Sequence, residues 1–137
     1  MLIQNGYASD EYGYWKGYFC SALNAIQAGI SNEINGDYEK SIFWYERALI
    51  IDPEASNNSQ ATFALSDLYR VKGDTEKSLE YLKQSANLGY MQAEEVLGGA
   101  YMSGVGVSKN QAEAKKWLKR AHENGSKNAE NICGCEF

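Results

Sequence analysis

Few side chains in this chain could do chemistry. His122 is the single histidine among 137 residues. A nucleophilic set needs an imidazole beside a nucleophile and an orienting acid, and nothing in the sequence assembles such a set around it. Glu94 and Glu95 are adjacent, so a helix turns them to different sides instead of presenting a carboxylate pair. Cys133 and Cys135 form a Cys-x-Cys pair, a weak hint of metal. Zinc sites close with a full set of Cys, His or carboxylate ligands, which one histidine does not supply. Cys133 is therefore read as a core thiol, and neither metal nor cofactor is expected. With Cys20 the cysteine count is three, and an odd count suits a reducing compartment better than a disulfide framework. Gly104-Val105-Gly106 invites a phosphate-loop reading, but no strand precedes it and no Gly-Lys-Ser/Thr follows. Both glycines are read as backbone devices. The chain is not expected to be an enzyme.

The elements that would hold these residues are helices. A single proline and abundant Ala, Leu, Glu and Lys suit helix interiors, where those side chains lose little entropy. One phrase recurs: a turn, a charged helix start, then an amphipathic helix ending in a small residue. It runs Gly36–Ala48, then Gly73–Ser85, then Lys109–Ala121. Ala48 and Ser85 are 37 residues apart, Ser85 and Ala121 36. A period of that size implies stacked helical hairpins, each burying its apolar face on a neighbour. In the first unit (22–55) helix A runs Ala22–Ile34, Gly36 makes the turn, Asp37 caps, and helix B runs Tyr38–Ile51. Further units occupy about 59–90 and 91–126, the third with a longer loop between its helices. Residues 127–137 repeat the helix A pattern of 91–101 and read either as a half-unit capping the end or as the start of a fourth unit in a longer protein. Small residues at Ser41, Ser78 and Ala114, and at Ala48, Ser85 and Ala121, mark the points where helices cross closely.

The net charge of −5 argues against nucleic acid, whose phosphates require a basic face. Residues 1–68 carry nine acids and three bases, and 69–137 nine acids and ten bases. That asymmetry suits a basic protein partner, though solubility alone also accounts for it. No apolar run approaches the ~20 residues that span a bilayer, and no secretory signal is visible. The expected location is the cytoplasm, or the periplasm if a signal has been removed.

Residues 22–55 resemble a tetratricopeptide repeat through Gly36-Asp37-Tyr38-Glu39-Lys40-Ser41 and Tyr45-Glu46-Arg47-Ala48-Leu49 to Asp52-Pro53. Residues 89–137 are similar to the Sel1-like repeat through Leu97-Gly98-x-x-Tyr101, Gly104-x-Gly106-Val107, Ala114-x-x-Trp117 and Ala121 before Gly125. Residues 59–90 are intermediate. The resemblance implies an all-α fold, a right-handed α-α superhelix (solenoid) of about three helical hairpins with N- and C-terminal capping helices. It also implies a non-catalytic adaptor that holds a protein or peptide in its concave groove. Carried over position by position, helix A residues facing that groove include Ile26, Ile30, Glu33, Phe63, Asp67, Arg70, Glu95 and Met102. Relatives that grip acidic chaperone tails use Lys and Asn where this chain has Ile26 and Ile30, so that activity is not expected. Small bacterial members include immunity proteins that block a toxin, which is the alternative reading.

Residues 1–21 form a separate aromatic-rich segment, with Tyr12, Tyr14, Trp15 and Tyr18 prominent. Two readings stand: a helix that caps the first unit and packs over Ile26 and Ile30, or a Tyr/Trp-rich patch for a partner.

Overall fold

Where each helix starts and stops follows from local chemistry. A computed structural model describes residues 21–137, which form helices joined by turns and loops, with no strand. Residues 1–20, including Tyr12, Tyr14, Trp15 and Tyr18, lie outside the described residues. In order, the helices are α1 (Ala22–Ile34), α2 (Tyr38–Ile51), α3 (Asn58–Lys72), α4 (Thr75–Asn87), α5 (Met91–Ser103), α6 (Gln111–Glu123) and α7 (Ala129–Cys133). The fold class is all-α, an α-α solenoid of helical hairpins.

Turns between paired helices share one device. At the end of α1, Gly36 takes φ 81°, and the Asp37 N–H reaches back to the Asn32 carbonyl at 2.8 Å. The end of α3 repeats it with Gly73 at φ 93° and the Asp74 N–H on Tyr69 at 2.9 Å. This left-handed residue satisfies carbonyls that the ending helix leaves open, and a side chain there would be strained. N-terminal caps differ from one hairpin to the next. The Asp74 carboxylate accepts the Lys77 N–H at 3.1 Å. Asn110 accepts both the Ala112 and Glu113 N–H groups at 3.1 Å. Asp37 holds the corresponding place on α2 but its side chain makes no capping bond, which corrects the expectation from the repeat.

The chain divides into two compact units, Met1–Ala61 and Thr62–Phe137. In the first, α1 and α2 bury Ala22, Ala25, Ile26, Ile42, Trp44, Tyr45 and Ala48. α2 ends at Asp52 before Pro53, and the Asn58 amide donates to the Asp52 carbonyl at 2.8 Å. In the second, Leu82, Ala86, Ala93, Leu97 and Trp117 form one apolar cluster. A smaller cluster of Leu118, Ala121 and Ala129 holds α7 to α6. The Ser126 hydroxyl accepts the Ala129 N–H at 3.1 Å and so starts α7.

Two cysteine expectations need correction. Cys133 is only partly buried against the smaller cluster, and its sulfur is bonded to that of Cys135. The pair is a disulfide, not a core thiol with a free neighbour. An odd cysteine count does not prevent two of the three from pairing when the chain itself brings them together.

Candidate functional site

The sequence periods point to helix crossings, and the geometry shows what each crossing consumes. In the first unit a Cβ placed on Gly29 would stand 2.9 Å from the Tyr45 ring. The Ser41 hydroxyl donates to the Gly29 carbonyl at 2.8 Å. In the α3–α4 hairpin the equivalent pair is Ser66 and Ser78, each hydroxyl donating to the other's carbonyl, at 2.9 and 2.8 Å. In the α5–α6 hairpin a Cβ on Gly98 would meet the Leu118 side chain at 2.6 Å and the Ala114 carbonyl at 3.3 Å. Small residues are required because backbones approach too closely for anything larger. Ser41, Ser78 and Ala114 were legible as repeats. Gly98 was legible in the Leu97-Gly98-x-x-Tyr101 phrase, but its pairing with Gly29 and Ser66 was not, because the longer third loop shifts it out of their 37-residue spacing.

Candidate residues of the first unit are largely occupied. Ile26 is 2% exposed and belongs to the core, which corrects its assignment to an open groove. Ile30 is half-buried. The Glu33 carboxylate accepts the Tyr45 hydroxyl at 2.9 Å. Burial, and then the bond and charge of Glu33, push the Tyr45 pKa well above its ordinary value near 10. The large apolar side chains that α1 leaves exposed are Leu23 and Ile34. An open cavity of about 410 Å³ lies by Leu23, lined also by Ser21, Ile51, Asp52 and Asn57.

In the second unit Phe63 is half-buried against the main apolar cluster, its ring 5.2 Å from that of Tyr90. It is a packing residue as much as a surface one. Asp67 and Arg70 lie one helical turn apart on α3, paired at 3.3 Å and well exposed. Glu95 is half-buried, and Met102 packs on the smaller cluster. Val71, Leu88 and Val96 are also exposed.

The polar group that sequence reasoning missed is Glu94. Its side chain is fully buried between α5 and α6, with Oε1 3.2 Å from Arg120 Nη2. Oε2 accepts the Asn124 amide at 2.8 Å. Arg120 lies over the Trp117 ring, 4.8 Å from its centroid, and donates to the Ala86 carbonyl at 3.4 Å. A buried carboxylate needs such partners to offset desolvation. This network ties α4, α5 and α6 together, and Glu95 takes no part in it. His122 faces Glu130, Nδ1 to Oε1 3.8 Å, and the Phe137 ring. Among the described residues no three His, Cys, Asp or Glu side chains are placed to share a metal ion. No helix among them is long and apolar enough to cross a membrane.

Comparison with known families agrees with this geometry. The Sel1 repeat family model matches residues 59–90 and 92–126, and a tetratricopeptide repeat model matches 26–54. No curated protein sequence matches significantly. Among solved structures, the first tetratricopeptide domain of Spaghetti (RPAP3), bound to an HSP90 peptide, superposes with TM-score 0.60 at 20% identity, covering 83% of this chain and 88% of that one. The C-terminal tetratricopeptide-containing domain of a Plasmodium falciparum FK506-binding protein gives TM-score 0.58 at 18% identity, covering 86% and 90%. At these identities the likeness speaks for the fold.

Proposed function

Because the chain belongs to the tetratricopeptide and Sel1-like repeat family, we propose that it is a non-catalytic protein-binding module. One observation carries the reading. Positions shared between hairpins are spent on packing, while exposed side chains such as the Asp67–Arg70 pair fall at positions the hairpins do not share. A scaffold built this way holds its fold constant and varies its surface.

The partner we propose is a protein with a basic face. In the described part of the first unit Asp37, Glu39, Asp52 and Glu54 are exposed, whereas Lys40 and Arg47 are half-buried. Such a surface speeds encounter with a positive one, and the rate falls with salt. An acidic chaperone tail, the kind of ligand the Spaghetti domain carries, fits poorly. Ile26 is buried and Ile30 is apolar, so neither can clamp a terminal carboxylate. No observation favours the toxin-neutralising alternative.

The test is affinity capture with the full chain as bait, then calorimetry with the purified partner. Replacing Asp67 and Arg70 together by Ala should weaken binding about tenfold or more, the range of an interface hot spot. Helicity and melting should be unchanged. Equal affinity of variant and parent would move the site off this face of α3.

A further inference from the structure

Cys133 ends α7, and Cys135 lies two residues on, with the sulfurs bonded and the Cα atoms 5.2 Å apart. We propose that Cys133 and Cys135 are a redox-active dithiol–disulfide pair, open to exchange with low-molecular-weight thiols and disulfides of the glutathione class. Three observations support it.

First, the bond is a poor staple. A cross-link stabilises by restricting the unfolded chain, and the restriction grows with the loop it closes. This loop encloses one residue, Gly134, so the gain in stability is near the minimum a disulfide can give.

Second, the turn that brings the thiols together is held by other means. Gly134 takes φ 68°, reversing the chain at the helix end. The N–H groups of Gly134 and Cys135 both reach the Glu130 carbonyl, at 2.7 and 3.3 Å. The Phe137 N–H meets the Glu130 carboxylate at 3.4 Å. Ala129 is fully buried and the Ser126 hydroxyl caps the helix start. Both oxidation states can therefore share one fold, with the thiols preorganised to close.

Third, both cysteine residues are partly open to solvent. Cys133 and Cys135 are half-buried, and Gly134 and Glu136 beside them are exposed. Cys133 packs against Leu118, Ala121 and Ala129, while Cys135 stands outside that cluster. An external thiolate would attack the Cys135 sulfur, forming a mixed disulfide and releasing Cys133 as thiolate, which takes a proton from water. A second external thiolate then attacks the external sulfur of the mixed disulfide and frees Cys135. One protein disulfide and two thiols thus become one protein dithiol and one external disulfide.

The experiment uses the full chain equilibrated in buffers of reduced and oxidised glutathione, quenched in acid and alkylated with maleimide. The mass of the tryptic peptide 128–137 reports its free thiols. The expected result is one reversible transition between doubly labelled and unlabelled peptide, unchanged by Cys20→Ser. In Cys135→Ser the lone Cys133 should instead acquire glutathione at the oxidised end. Two labels at every ratio would overturn the proposal. So would a bond that resists excess reduced glutathione, loss of label through pairing with Cys20, or loss of label through glutathione adducts alone.

Discussion

Gly98 and Gly99 are neighbours on α5 with opposite surroundings. A methyl group on Gly98 meets Leu118 and the Ala114 carbonyl, whereas one on Gly99 meets only Ile132, at 3.9 Å. Gly98→Ala should cost about 1–3 kcal/mol through overpacking. Gly99→Ala should stabilise by up to about 1 kcal/mol, the helix-propensity difference. Urea denaturation of both variants decides the matter, and equal shifts would contradict the packing described. Glu94 tests the buried network in the same assay. Glu94→Ala strands Arg120, but Arg120 is 37% exposed and can rehydrate, so about 2–3 kcal/mol is expected, less than a fully buried pair would lose. Glu94→Gln keeps an acceptor for Asn124 and should cost about 1 kcal/mol. Tyr45 adds a pH dependence. Its folded-state pKa is raised above the ordinary value near 10, so the folded state holds the proton more tightly. That contribution is whole below pH 10 and is lost as pH rises above it. Tyr45→Phe should therefore cost about 1 kcal/mol at neutral pH, and the gap to the parent should narrow in alkaline urea titrations.

At the scale of elements, the boundaries of α1 and α2 follow from the Gly36 turn and from Pro53, and they coincide with the sequence expectation to the residue. Capping was less legible. Asp37 and Asp74 occupy equivalent places in the repeat, yet only the Asp74 side chain caps its helix. Side-chain rotamer and flanking geometry decide a cap, and a residue type alone does not convey them. Asn110→Ala removes two capping bonds from α6 and should cost about 1–2 kcal/mol. Asp37→Ala should cost a few tenths at most. Thermal melts of the two variants compare them directly, and similar losses would show that the Asn110 cap is not special. The glycines of the third loop were legible for their true reason: Gly104 and Gly106 both take positive φ.

Across the whole molecule, stability rests on short-range hairpin packing repeated along the chain. Trp117 is the largest side chain in the main apolar cluster of the second unit, and it also carries Arg120 on its face. Trp117→Ala should destabilise by about 3–5 kcal/mol. Hydrogen exchange should show protection lost across α4, α5 and α6, and a near-neutral effect would contradict its burial at 6% exposure. The sequence by itself determined the bounds of α1 and α2, the hairpin period and the longer third loop. Those depend on local periodicity and on turn residues, both readable within a few positions. Tertiary structure alone decided which side chains were consumed. Ile26 became core, Glu33 was taken by Tyr45 twelve residues away, and Glu94 was drawn in by Asn124 thirty residues away. Burial and polar pairing depend on what a neighbouring helix presents, and helical spacing on one segment carries no information about that neighbour.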